Sequence, residues 1–138
     1  MAFVNCYTYN YVRNINSATK KFNYNLIENY TNFLIEMKKL LIKEDLYEQF
    51  EEDYNYAVVR QVNNSFKKYF FAKQNEKKYS ELKKEFKNYI KKDPYYTTIK
   101  EIKINKLSIK RKLMIFFVRR KMFFILKCMY FVNREKNI

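Results

Sequence analysis

Apolar positions follow three rhythms along this chain, and each predicts a different kind of element. Residues 7–19, Y-T-Y-N-Y-V-R-N-I-N-S-A-T, alternate: Tyr7, Tyr9 and Tyr11 share one face at period two, and Thr8, Asn10 and Val12 the other. That spacing predicts a β-strand. Arg13 stands at its end, and the cluster Asn14-Ile15-Asn16-Ser17 turns the chain out of the sheet. A lone strand is marginal in water, and no later stretch offers a comparable partner, so the ribbon is expected to join something larger.

From Leu26 the rhythm changes to threes and fours. Leu26, Ile27, Tyr30, Phe33, Leu34, Met37, Leu40 and Leu41 predict an amphipathic helix of about four turns. Glu28 and Glu36 come early in it and Lys38, Lys39 and Lys43 late, the order the helix dipole favours. Asp45 followed by Glu48 reads as an N-cap with its capping-box acid. The longest helix then runs through Leu46, Phe50, Tyr54, Ala57, Val58, Val62, Phe66, Tyr69 and Phe70 to near Ala72. After a break at Lys73-Gln74-Asn75, the positions Tyr79, Leu82, Phe86, Tyr89 and Ile90 predict a thinner third helix. Asp93-Pro94 stops it, because the residue before proline is pushed out of the helical region. Residues 94–106 read as a connector: Thr97, Thr98, Ile99, Ile102 and Ile104 favour extended structure, and the Lys/Glu punctuation fits a linker.

The third rhythm begins at Leu107, where apolar runs at residues 113–118, 122–126 and 128–132 are separated by Arg119-Arg120-Lys121 and by Lys127. At about 100° per residue, Lys112, Arg119, Arg120, Lys127 and Arg134 collect on one face. Met114, Val118, Met122, Ile125, Met129 and Val132 collect on the opposite one, and Lys121 breaks the pattern and snorkels. A membrane-spanning helix needs ~20 mostly uncharged residues, so these cations make spanning expensive. A helix lying in the membrane plane is easier, with each cation worth ~1 kcal/mol near anionic headgroups. Lys110, Arg111, Lys112, Arg119, Arg120, Lys121 and Lys127 are then the candidate headgroup contacts, and Phe116, Phe117, Phe123 and Phe124 the candidate insertions. A core helix whose cations ring its edge is the alternative.

Together these elements predict a mainly α chain: an N-terminal β-strand followed by three to four amphipathic helices, the last basic and suited to a membrane surface. The divisions fall at residues 1–19 for the strand and turn, 20–93 for the helices, 94–106 for the connector and 107–138 for the basic helix.

Composition narrows the functions. A chain of 138 residues holds one domain, and 48% apolar content suffices for a core. Glycine is absent and proline occurs once. That argues against a complete Rossmann or P-loop domain, whose loops need glycine to bring backbone against phosphate. Histidine is absent too, which excludes a Ser-His-Asp triad and any histidine metal ligand. Cys6 and Cys128 have no zinc-site spacing and read as two buried free thiols in a reducing cytoplasm, with a disulfide between them as the other option. The acids Glu44, Asp45, Glu51, Glu52 and Asp53 fall on the first turns of a helix, where they complement its dipole rather than hold a metal. Neither a metal nor a cofactor is expected of this chain.

The net charge of +15 partly reflects a composition rich in Lys, Asn, Ile, Tyr and Phe together, as AT-rich coding gives. Its placement says more than its size. After Glu101 the only acid is Glu135, so the field is concentrated toward the C-terminal end, where it favours anionic lipid or nucleic acid. The opening residues show neither a basic n-region nor an apolar h-region, so the chain is expected in the cytoplasm, and the basic amphipathic tail is expected to hold it, peripheral, at the inner face of the cell membrane.

Residues 9–19, Y-N-Y-V-R-N-I-N-S-A-T, resemble the Y-x-Y-(V)R-x-x-x-S-A/I-T segment of family 2 glycosyltransferases. These are inverting GT-A-fold enzymes, many of which build bacterial capsule, teichoic-acid-like or lipooligosaccharide glycans. The tail K-L-S-I-K-R-K-L-M-I-F-F-V-R-R-K-M-F-F-I-L-K is similar to their basic, Phe/Leu-rich ends. The resemblance implies the C-terminal region of such a transferase: the segment that closes the catalytic domain, then a variable helical part. It implies that Arg13, Asn16 and Ser17 lie beside the nucleotide diphosphate or the acceptor pocket, with Tyr9 and Tyr11 supporting the wall. A guanidinium and a hydroxyl at a strand's end can donate to phosphate oxygens; ending the strand and capping a helix is the other role open to Arg13 and Ser17.

The family's N-terminal nucleotide-binding half, its D-x-D metal motif and its Glu-Asp catalytic motif have no counterpart here, nor has the histidine many relatives place before the serine turn. No sugar transfer is expected from this chain alone, and any divalent metal belongs to the missing part. The implied partners are an anionic membrane surface and, in an intact enzyme, a nucleotide-sugar and a lipid-linked or glycan acceptor. A small basic helical protein that binds nucleic acid is the alternative, its rings stacking on bases and its lysines meeting phosphates. Against it, the aromatics sit at helical core spacing, and no helix-turn-helix glycine, zinc pattern or RNA-recognition motif is present.

Overall fold

The computed structural model describes residues 22–135. Six α-helices follow one another: α1 (Leu26–Lys43), α2 (Tyr47–Ser65), α3 (Tyr79–Tyr89), α4 (Tyr95–Glu101), α5 (Ile109–Arg119) and α6 (Phe123–Glu135). A π-helical turn, Phe66–Phe70, prolongs α2, and a short 3-10 turn, Ile104–Lys106, leads into α5. The described residues hold no β-strand, so the expected class, mainly α with an N-terminal strand and three to four helices, is corrected, for the described residues, to an all-α arrangement of six helices. Residues 1–19, on which the strand was expected, lie outside the described residues. Among the described residues there is no sheet edge for such a strand to pair with.

The first two helices form where the three-four rhythm places them, but Asp45 does not cap α2. Its backbone is left-handed, at φ 55°. It sits just past the end of α1, with its N–H donating to Ile42 O at 3.1 Å and the Leu46 N–H donating to Leu41 O at 2.9 Å. This is the Schellman geometry, which satisfies the last carbonyls of a helix and reverses the chain. Aspartate tolerates the left-handed region because its short polar side chain can bond locally. The residue flanking α2 is Leu46, and it offers no side-chain cap.

The same geometry divides the C-terminal tail. Lys121 lies at φ 56°, its N–H donates to Val118 O at 3.0 Å, and the Met122 N–H donates to Phe117 O at 3.0 Å. The tail expected as one helix is therefore two, α5 and α6. A chain without glycine has put a lysine where glycine is usual, at a cost of roughly 1 kcal/mol. Lys121→Gly is expected to raise stability by roughly 0.5–1 kcal/mol, read as a higher urea midpoint at unchanged slope. A lower midpoint would mean that the turn tolerates lysine without strain.

The core is built on the π-turn. An i→i+5 hydrogen bond brings residue i+5 above residue i. The Phe71 N–H donates to Phe66 O at 2.9 Å, and their rings stack 5.5 Å apart at 11°. One wide turn thus points Phe66, Tyr69 and Phe70 all inward. Phe66 meets Phe86 of α3 at 5.7 Å and Tyr130 of α6 at 5.5 Å, while Phe123 lies stacked on Phe86 at 5.1 Å.

Residues 95–101, expected as connector, form α4. Tyr95, Thr98 and Ile99 are buried and Ile102 is half-buried, the i, i+3, i+4, i+7 pattern of a helix packed on one side. Burial has overridden the β-preference of Thr and Ile.

Buried hydroxyls tie the layers together. Tyr54 Oη donates to Leu34 O at 3.2 Å, Tyr89 Oη to Ser65 Oγ at 3.3 Å and Thr98 Oγ1 to Asn55 Oδ1 at 3.0 Å. Thr31 Oγ1 and Tyr95 Oη share a bond at 3.1 Å. Among the described residues no buried side-chain nitrogen or oxygen lacks a partner, which keeps such a polar interior from costing stability.

Candidate functional site

The candidate donor-site residues Tyr9, Tyr11, Arg13, Asn16 and Ser17 lie outside the described residues. The surface that can be built from side chains is that of α5 and α6. In α5, Met114, Ile115 and Val118 are buried and so fix the inward direction. At about 100° per residue, Ile109, Leu113, Phe116 and Arg120 point directly away from it. Their exposure confirms this: Ile109 is 76% accessible, Leu113 46% and Phe116 44%. The Arg120 guanidinium covers the Phe116 ring at 4.7 Å, a cation–π contact that extends the stripe with a charge. Exposed Lys110 and half-buried Lys112 flank the stripe, and exposed Arg111 lies on its first turn.

This reverses part of the arrangement expected for an in-plane helix. Met114 and Val118, on the arc expected to enter lipid, belong to the protein core, and so does Phe123, at 2% exposure. Phe117 is half-buried against that core, and Lys121 makes the turn. Arg119 also has a structural use. Its Nε donates to Ile99 O at 2.7 Å, and its Nη2 to Lys100 O and Ile102 O, both at 3.2 Å. The last turn of α4 leaves carbonyls unsatisfied, and one guanidinium collects two of them and the Ile102 carbonyl just beyond, at the negative end of the dipole. Arg119→Met is expected to lower stability by about 1.5 kcal/mol, with Arg119→Lys losing about half as much. Urea denaturation checks both, and identical losses would deny the fork geometry its part.

On α6 the core side is set by Phe123 and Leu126, both buried. Phe124 at 65%, Phe131 at 52% and Val132 at 58% exposure face outward, together with Cys128, a free and exposed thiol rather than the buried one expected. Tyr130 is drawn the other way: its hydroxyl donates to Asn63 Oδ1 and lies 3.2 Å from Met114 Sδ, tying α6 to α2 and α5. Burial pushes that phenol well above its ordinary range. Between α3 and α6 lies an open apolar cleft of about 330 Å³, lined by Tyr79, Phe124, Lys127, Cys128 and Phe131. The Lys127 ammonium sits over the Tyr79 ring at 5.1 Å.

Among the described side chains of α5 and α6 the charged groups are all cations. The ion pairs found among the described residues lie elsewhere: Lys39–Glu36, Lys77–Glu85 and Lys106–Glu52. The Lys77 ammonium is held well above the usual lysine range, chiefly by its hydrogen bond to Glu85 and then by Tyr69. That cluster fastens the loop before α3 to the π-turn. No group of three or more acidic, cysteine or histidine side chains among the described residues could hold a metal ion. No helix among them is long and apolar enough to cross a membrane. The chain matches no protein-family model, no curated protein and no solved structure.

Sequence reasoning missed Ile109, Leu113 and Phe131 as surface residues. The spacing 109, 113, 116 carries the signal, which a single helical wheel run through Lys121 hides. What the described residues define is an all-α basic bundle with an outward aromatic and aliphatic stripe bordered by cations that take part in none of the ion pairs found among them.

Proposed function

We propose that this chain is a helical membrane-docking module, the C-terminal part of a family 2 glycosyltransferase that works at the inner face of the cell membrane. The observation that carries the docking is the stripe Ile109, Leu113 and Phe116, exposed opposite the core and bordered by Lys110, Lys112 and Arg120. Apolar side chains at that position enter the acyl boundary, while the cations meet anionic headgroups at ~1 kcal/mol each. Docking raises the local concentration of a lipid-linked acceptor without adding chemistry to the module itself. The transferase assignment is supported by the resemblance of residues 9–19 and of the basic tail. Arg13, Asn16 and Ser17 are its proposed phosphate or acceptor contacts.

Flotation with phosphatidylglycerol vesicles tests the docking. Removing α5 and α6 would strip core residues, so point variants are the sounder tool. The wild-type chain is expected to float with anionic vesicles and much less with phosphatidylcholine. Leu113→Glu combined with Phe116→Glu is expected to weaken partitioning at least about tenfold at unchanged helix content. Equal flotation of wild type and variant would remove the stripe from the surface. Binding of single-stranded RNA with a steep salt slope, and no flotation, would put the nucleic-acid reading in its place. The coding frame upstream of Met1 tests the transferase assignment, which requires a D-x-D and a Glu-Asp motif there.

A further inference from the structure

The cleft between α3 and α6 is not explained by the α5 stripe. Its walls are the rings of Tyr79, Phe124 and Phe131 with the Cys128 thiol, and Lys127 is the charged residue that lines it. Among the described residues no acid lines it, and the Lys127 ammonium is held at its side by the Tyr79 ring at 5.1 Å. At about 330 Å³ it lies at the small end of ligand sites. An apolar slot with a single cation at its side complements a hydrocarbon chain ending in an anionic group, whereas a sugar or a base needs several convergent hydrogen-bonding groups and the lining offers little beyond the Tyr79 hydroxyl and the Lys127 ammonium.

We infer that this cleft seats one acyl chain of an anionic lipid drawn from the bilayer, with Lys127 set against the headgroup charge. The inference rests on the membrane-docking reading and deepens it: the surface then selects a lipid molecule in addition to a field. Phe124 and Phe131, costly to leave in water, gain a partner, and the charge discriminates among amphiphiles of equal chain length.

Cys128 lies within the cleft and reports on its occupancy. In a Cys6→Ser background, its rate of maleimide alkylation is followed by intact mass, with helix content monitored by circular dichroism. Phosphatidylglycerol vesicles, and laurate below its micellar concentration, are expected to slow alkylation at least fivefold. Dodecyltrimethylammonium and acetate at matched concentration should leave the rate unchanged. Lys127→Glu is expected to raise the half-protecting laurate concentration about five- to tenfold. Flotation of the wild-type chain without protection of Cys128 would overturn the cleft while leaving the docking reading intact. Equal protection by the anionic and cationic chains would overturn the role of Lys127. Protection by laurate with none from the vesicles would make the occupant a free fatty acid and overturn the bilayer source.

Discussion

Replacing Phe66 with alanine is expected to cost about 3–5 kcal/mol, the range for removing a fully buried phenyl ring. A domain of this size has only about 5–15 kcal/mol in hand, so the variant should sit near its unfolding threshold. The size of the loss follows from what the ring joins. Phe66 has no exposed surface and contacts Phe70, Phe71, Phe86 and Tyr130 at 5.8, 5.5, 5.7 and 5.5 Å. Those partners come from the π-turn and its flank, from α3 and from α6. A cavity bounded by separate elements closes poorly, because collapse on one side opens a gap on another. Phe33→Ala is the natural control: 55% exposed on α1, it should change stability by no more than about 0.5 kcal/mol. Urea midpoints measure both, and a Phe66 loss below about 1 kcal/mol would show that the core is centred elsewhere.

How far the sequence announced this fold depends on how local each decision was. α1 and α3 were legible because their apolar positions repeat on one face over several turns, and Tyr79 and Leu26 open them where the pattern begins. The turns at Asp45 and Lys121 were not. Glycine is the usual mark of a left-handed helix stop, and this chain has none. Asp45 therefore read as the start of the next helix, and Lys121 as a snorkelling residue within one. α4 was obscured by a different conflict. Thr97, Thr98, Ile99 and Ile102 carry extended preference, but what decided the outcome was a place for Tyr95 and Ile99 against the bundle, which lies outside any local window.

The misplaced turn at Lys121 also explains the error in the surface. Extending one helical wheel through residues 107–134 averages two helices that face differently, so Met114 and Val118 merged with Met122 and Val132 into a single arc. Once the wheel is restarted at Phe123, α5 buries Met114 and Val118, while α6 exposes Phe124, Phe131 and Val132. The abundance of cations in this segment was legible throughout. Their use was not: Arg119 bonds carbonyls of α4 and the loop beyond it, Arg120 covers Phe116, and Lys127 covers Tyr79. Each is a tertiary contact, and nothing in the spacing of positive residues distinguishes a cap from a free charge.

Raising the pH is expected to unfold this protein between about pH 10 and 12, cooperatively and with tyrosine ionisation as its driving event. Burial, followed by the neighbouring Tyr47, pushes the Tyr54 hydroxyl up to about 12. Burial likewise raises Tyr89 well above the ordinary value and raises Tyr69, Tyr95 and Tyr130. In each case the folded state holds its proton more tightly than the unfolded chain, which releases it near pH 10. Below that value the contribution to stability is fully present; above it the unfolded state gains by losing protons, and stability falls as pH rises through the folded values. Lys77, also raised, adds a loss of the same sign at higher pH. At the other end no such slope is expected, because the chain contains no histidine to titrate between about pH 5 and 8. Helix content by circular dichroism and tyrosinate absorbance, followed together up to pH 12, should show the buried phenols ionising as the helices melt. Ionisation of every tyrosine with the helices intact would mean that Tyr54, Tyr89 and Tyr95 reach water without unfolding, and that the buried hydroxyl network does not hold the layers together.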